Sequence, residues 1–190
     1  MALCEKILIS GFSGAGKSSL LTALKADAPE DWELFDDLDR LVLKNHGKGH
    51  AHLASVIETH GWEKFRLWER QALEGWLKED GKGVLALGGG TLSPLVWELF
   101  GKSRKIKFCH LSIPFELAWE RLNLDTNAPR PLVQLGKNKL QDIFAISLMV
   151  VHSYLMAKGE KMIQEIEENS VKLLDLLGTR KVNHSTDKAA

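Results

Sequence analysis

Two hydrophobic patterns alternate along this chain. Short, mainly apolar runs occur at 6–9, 33–35 and 83–87, an alternating run occurs at 105–111, and the longer stretches between them carry apolar residues at three- and four-residue spacing. The runs predict strands and the spaced stretches predict helices. The expected helices cover 17–25, most of 39–80 with breaks near 47–49 and at Gly61, then 116–123 and 140–157. A weak fifth strand is expected near 161–163, a last helix over 169–177, and a loose polar tail at 181–190. The segment 125–131 holds Pro129 and Pro131 and predicts a loop. Strands that alternate with helices, and that are apolar along their length, belong to a parallel sheet covered on both faces.

Composition adds exclusions. The 190 residues suit one domain, expected over 1–180, with 44% hydrophobic and 26% charged residues. Lys+Arg and Asp+Glu balance at 25 each, without the basic excess of a nucleic-acid binder. Cys4 and Cys109 are far apart and fit neither a disulfide framework nor a zinc site. The first residues run straight into a strand with no signal-peptide pattern, so a cytoplasmic location is expected. The most apolar stretch, 143–151, is far shorter than the ~20 residues of a membrane-spanning helix.

Gly11-Phe12-Ser13-Gly14-Ala15-Gly16-Lys17-Ser18 matches G-x-x-x-x-G-K-[ST] in full, between an expected strand and an expected helix. Glycines let successive backbone N–H groups turn inward onto phosphate oxygens, and the new helix adds its positive end. Ser13, Gly14, Ala15, Gly16, Lys17, Ser18 and Ser19 are therefore candidate ATP-binding residues. Lys17 can reach the β- and γ-phosphates, and the Ser18 hydroxyl can coordinate Mg²⁺.

Four further segments narrow the function. Phe35-Asp36-Asp37-Leu38-Asp39 fits F-x-D-x-D after the second strand, and 61–69 fits G-x-x-x-F-R-x-x-E. Leu87-Gly88-Gly89-Gly90 ends the third strand on three glycines, and Arg130-Pro131-Leu132 fits an R-P-L lid. In this order, with the P-loop, they resemble the shikimate kinase family, convincingly over 5–132 and more weakly to 177. The resemblance implies a three-layer α/β P-loop kinase fold: a five-stranded parallel sheet with helices on both faces, a helical substrate-binding insertion at about 39–62 and a lid at about 123–136. It implies ATP-dependent phosphorylation of shikimate to 3-phosphoshikimate, in aromatic amino-acid biosynthesis, with Mg²⁺. It assigns Asp37 with Ser18 to Mg²⁺ and Asp39 to the substrate hydroxyls as base. Arg66 is assigned to the substrate carboxylate, and Gly88, Gly89 and Gly90 to backbone contact with substrate. Arg130 falls to the transferring phosphate and Arg121 to the adenine. Lys17, Asp39 and Arg130 form the expected catalytic set. Glu69, three residues after Arg66 on one helical face, could hold its guanidinium.

The chain departs from the family at Val150, where a second carboxylate-binding arginine is usual; Lys137 and Lys139 are the nearby cations. Two alternatives therefore stay open: a related enzyme acting on another small polyol or hydroxy acid, and a nucleotide-binding regulatory protein without transfer. His46, His50 and His52 lack a fourth ligand of obvious spacing and read as a flexible tip of the insertion rather than a metal site. Cys109 reads as a buried apolar group, and Trp68 and Trp76 as core. The expected partners are a small substrate and ATP, with no nucleic acid and no membrane. The chain is expected to be a monomer, with the apolar helix 140–157 as a candidate contact.

Overall fold

The computed structural model describes residues 6–93, 96, 98–99, 105–124 and 135–158. Four strands, β1 (Lys6–Gly11), β2 (Trp32–Asp37), β3 (Lys82–Ala86) and β4 (Ile106–Leu111), form one parallel sheet in the order β2-β3-β1-β4. Helices accompany them, among them α1 (Lys17–Ala26), α2 (Leu38–His46), α3 (Leu53–Lys78), α4 (Phe115–Leu124) and α5 (Lys137–Lys158).

β1 is buried along its whole length, which explains its lack of polar alternation. Its side chains still alternate in direction. Ile7 and Ile9 join a core with Leu20, Leu24, Phe115 and Phe144, on the side of α1, α4 and α5. Leu8 joins the opposite core with Leu38, Phe65, Leu73 and Trp76, under α2 and α3. The sheet is therefore the middle of three layers. β1 lies between β3 and β4, so the loop that leaves its carboxyl end is flanked on both sides.

Most expected elements are present, with three differences. The sheet has four strands among the described residues; the fifth, expected near 161–163, lies outside them, as do the helix expected over 169–177, the tail at 181–190 and the lid's central residues 125–134, with Arg130. β2 runs on to Asp37, because pairing with β3 holds Asp36 and Asp37 opposite Leu85 and Ala86. The first histidine of the run is anchored: His46 stacks on Trp68 at 4.5 Å between ring centroids and 7° between planes, and His50 meets His60, which itself lies edge-on to Trp68. The break expected at Gly61 is present inside α3, at φ 80° and ψ 161°.

Lys6 ties the sheet to the end of α3. Its buried ammonium donates to Glu79 O at 2.9 Å and Trp76 O at 3.3 Å, and lies 4.4 Å from the Trp76 ring centroid. Trp76 lies in the last turn of α3 and Glu79 is its C-cap, where carbonyls run short of helical donors; Trp76 O also accepts from the Glu79 N–H at 3.3 Å. Lys6→Met is expected to cost about 1–2 kcal/mol, lowering Tm by about 2–8 °C in a thermal melt. An unchanged Tm would show that this cap contributes nothing.

Candidate active site

The loop after β1 turns tightly into α1. Gly16, the residue before the helix, sits at φ 95° and ψ 17°, a left-handed conformation suited to glycine. Lys17 Nζ donates to the carbonyls of Gly11 (2.8 Å) and Phe12 (3.1 Å), which keeps the ammonium over the loop's opening turn. A cavity of about 660 Å³ opens there, bounded by Ser13, Gly14, Gly16, Lys17, Ser18 and Ser19 of the loop and by Asp37, Asp39, Gly89 and Arg121 opposite. Ala15 does not face it: its side chain is buried in the core and its N–H donates to Phe12 O at 3.0 Å. Arg121, on α4, reaches back to donate to Gly14 O at 3.3 Å.

Asp37 ends β2 and caps α2. Its Oδ1 accepts from the N–H groups of Asp39 (3.0 Å) and Arg40 (3.4 Å), satisfying donors the helix cannot. Its Oδ2 accepts from Ser18 Oγ at 3.0 Å. One oxygen thus fixes the backbone while the other meets the serine hydroxyl at the mouth of the phosphate loop. Two hard oxygen donors brought together beside the Lys17 ammonium fit Mg²⁺, which prefers oxygen ligands and few of them from protein.

Asp39 is half-buried in the first turn of α2. Desolvation, with the negative charges of Asp37 and Glu69, pushes its carboxyl up from 3.8 to about 6, against the opposing pull of Lys17 and Arg66.

Glu69 organises the opposite wall. Its carboxylate is only 2% exposed, accepts from Thr91 Oγ1 at 2.7 Å, and pairs with Arg66 Nη1. Arg66 is 41% exposed, and its guanidinium carbon lies 5.2 Å from the Trp62 ring centroid. Gly88, Gly89 and Gly90 pass close to all of these groups. A Cβ on Gly88 would stand 2.7 Å from Asp39 Oδ1 and 2.8 Å from Glu69 Oε1. One on Gly89 would stand 2.6 Å from Ser13 Oγ, and one on Gly90 2.5 Å from Arg66 Nη2. The missing side chains therefore let a strand end, a carboxylate pair, a guanidinium and the phosphate loop meet in one place.

The structure brings Ser13, Gly14, Gly16, Lys17, Ser18, Asp37, Asp39, Arg66 and the glycine turn to one end of the sheet. Lys137 and Lys139 are exposed at the start of α5 and line neither this cavity nor the smaller one described below. Three residues here escape a reading of the sequence. Thr91 directly follows the glycines, and its position after them is the only signal of its bond to Glu69. The Ser10–His110 pair on β1 and β4 is buried, with Ser10 Oγ 3.1 Å from His110 Nδ1 across 100 residues of sequence, and nothing local announces it.

A family model for shikimate kinase matches residues 13–174. The chain is 32% identical over 129 residues to the shikimate kinase of Lactococcus lactis subsp. lactis, covering 67% of this chain and 71% of that one. It is also 32% identical to the shikimate kinase of Xanthomonas euvesicatoria pv. vesicatoria, covering 67% of this chain and 66% of that one. The solved shikimate kinase from Acinetobacter baumannii in complex with shikimate shares the fold, with a TM-score of 0.68 at 24% identity over 96% of this chain and 97% of the other. A gluconokinase from Sinorhizobium meliloti is a more distant likeness, with a TM-score of 0.52 at 16% identity over 94% of each chain. This chain belongs to the shikimate kinase family.

The raised Asp39 carboxyl has a consequence for stability. The folded protein holds this proton more tightly than the unfolded chain, so its contribution is complete below the unfolded value and is lost as pH rises through about 6. Asp39→Asn carries no charge at any pH. It is expected to be more stable than the unsubstituted protein at pH 7.5, by about 1–3 kcal/mol, with the difference vanishing near pH ~4. Urea unfolding at the two pH values measures this; equal stability at pH 7.5 would contradict a partly desolvated, ionised Asp39.

Proposed function

We propose that this member of the shikimate kinase family transfers the γ-phosphoryl group of ATP to a ring hydroxyl of shikimate, giving 3-phosphoshikimate and ADP. One observation carries the reading: the glycine turn 88–90 stands within contact distance of the phosphate loop, of Asp39 and of Arg66. A phosphate donor and a hydroxylated acid acceptor can thus be held side by side.

The phosphate loop, from Ser13 to Ser19, binds the triphosphate through Lys17 and its backbone amides. Ser18 and Asp37 would hold Mg²⁺, which when bound offsets charge on the phosphate oxygens. Arg66 offers its remaining N–H groups to the acceptor carboxylate, a planar match that Glu69 pre-orients. Gly88, Gly89 and Gly90 contact the acceptor through backbone. Asp39 orients the acceptor hydroxyl and takes its proton as the oxygen–phosphorus bond forms. The bond from the γ-phosphorus to the β,γ-bridging oxygen breaks, and ADP leaves. An Asp39 carboxyl near 6 is ionised at neutral pH yet more basic than an ordinary aspartate, which suits this role.

The same reading extends to a fifth strand, to a lid at about 123–136 that brings Arg130 to the transferring phosphate and excludes water, and to Arg121 beside the adenine. It includes a single kinase domain over 1–180, a monomer, and a cytoplasmic location. No helix among the described residues is long and apolar enough to cross a membrane. The second reading is a less acidic polyol as acceptor. Val150 favours it, because it brings no charge to the space beside the glycine turn.

ADP release from Mg·ATP, measured with and without shikimate, tests the proposal. Shikimate is expected to drive turnover. Asp39→Asn should lower kcat about 10²–10⁴-fold, and Arg66→Ala should raise the KM for shikimate about 10–150-fold. kcat/KM should fall as pH drops below about 6, where Asp39 takes up its proton. No stimulation by millimolar shikimate, with ATP still bound, would sink shikimate as acceptor.

A further inference from the structure

A second, smaller cavity of about 170 Å³ lies beside the glycine turn, between the carboxyl ends of β1 and β4 and the helix α5. Its walls are mainly apolar: Leu92, Ile113, Phe144, Ile146 and Val150 all face it. Gly88, Gly89 and Gly90 border it, and Gly89 also borders the phosphate cavity, so the two spaces share one turn. The polar groups of this apolar space include the buried pair Ser10 and His110, 4% and 6% exposed.

Hydrogen-bond bookkeeping singles that pair out. A neutral imidazole carries one N–H and a serine one O–H, so the pair holds two donors. One bond joins them, Ser10 Oγ to His110 Nδ1 at 3.1 Å, and neither side chain has another hydrogen-bond partner among the described residues. When Ser10 donates to Nδ1, the proton sits on Nε2 and that N–H is the spare donor. The reverse tautomer strands the serine O–H instead. A donor left unmet in an apolar wall is costly unless a ligand meets it.

We propose that His110 is a specificity-determining residue of the acceptor site, and that its Nε2–H donates to an oxygen of the acceptor's carboxylate, on the far side of the glycine turn from Asp39. This rests on the shikimate reading above. Three observations converge on it. The cavity borders Gly88, Gly89 and Gly90, and Asp39 packs on the first of these and Arg66 on the last, so the imidazole and the acceptor-binding groups flank one turn. Among the described residues α5 contributes no charged side chain to the cavity, so the imidazole shares the donor role there only with the hydroxyls of Ser10, Ser112 and Ser147 and the backbone. Burial, helped by the Lys17 charge, lowers the His110 pKa to about 4, so the ring is a neutral donor at pH 7 in a field that favours an anionic oxygen.

The test separates the two ring nitrogens. His110→Asn keeps a polar group near Nδ1 for Ser10 but has nothing at Nε2, whereas His110→Gln carries an amide N–H near the Nε2 position. In the ADP-release assay, His110→Asn should raise the KM for shikimate about ten- to a hundredfold, with the KM for ATP within twofold. His110→Gln should recover part of the loss. On the unsubstituted protein, ¹⁵N NMR of the His110 imidazole should show Nε2 protonated and its resonance shifting when shikimate is added; this measurement decides the matter if the variants do not fold. An unchanged KM for shikimate in folded His110→Asn, or an Nε2 resonance unmoved by saturating shikimate, overturns the proposal and leaves the kinase reading intact. An unsubstituted protein that binds Mg·ATP but shows no shikimate-dependent turnover overturns both.

Discussion

A carboxylate withdrawn almost completely from water must find its counter-charge and hydrogen bonds inside the protein, and Glu69 imposes that demand on everything around it. Thr91 supplies one donor and Arg66 the opposing charge. Helical spacing puts Arg66 and Glu69 on one face of α3, and the strand end beside them carries glycine, since a Cβ on Gly88 would stand 2.8 Å from Glu69 Oε1. Arg66 is consequently aimed before any ligand arrives. A long, flexible cation that would lose rotamer freedom on binding has lost part of it on folding. The charge of Glu69 also reaches Asp39 and helps to hold its carboxyl near 6.

The phosphate side is built by a different economy of groups. Asp37 uses one oxygen to cap α2 and the other to meet Ser18, so the placement of a metal ligand and the start of a helix are one event. Asp39 follows within the first turn of that helix, and its distance from the phosphate loop is set by the same cap. The glycine turn joins the halves, since Gly89 packs on Ser13 while Gly88 and Gly90 pack on Asp39 and Arg66. Donor and acceptor sites are therefore rigidly related through backbone and a few short contacts, which is what in-line transfer requires.

Much of this was legible before the structure. The phosphate loop declares itself because its chemistry needs glycine, lysine and serine at fixed local spacing, and the buried strands because parallel sheets leave no polar face. The Arg66–Glu69 pair follows from helical spacing. What depends on contacts far apart in sequence was not legible. The extension of β2 through two aspartates depends on pairing with β3, more than forty residues away. The anchoring of His46 depends on Trp68 of the next helix. The Ser10–His110 pair needs the β1–β4 register, in which residues 10 and 110 lie side by side.

Buried Glu69 holds Arg66 ready for the acceptor and leaves the phosphate site alone. Calorimetric titration of Glu69→Gln, a change that preserves shape and the Thr91 bond while removing the charge, tests it directly. The predicted result is shikimate bound about tenfold or more weakly than by the unsubstituted protein, with Mg·ATP bound within twofold. Equal affinity for shikimate in the two proteins would contradict it.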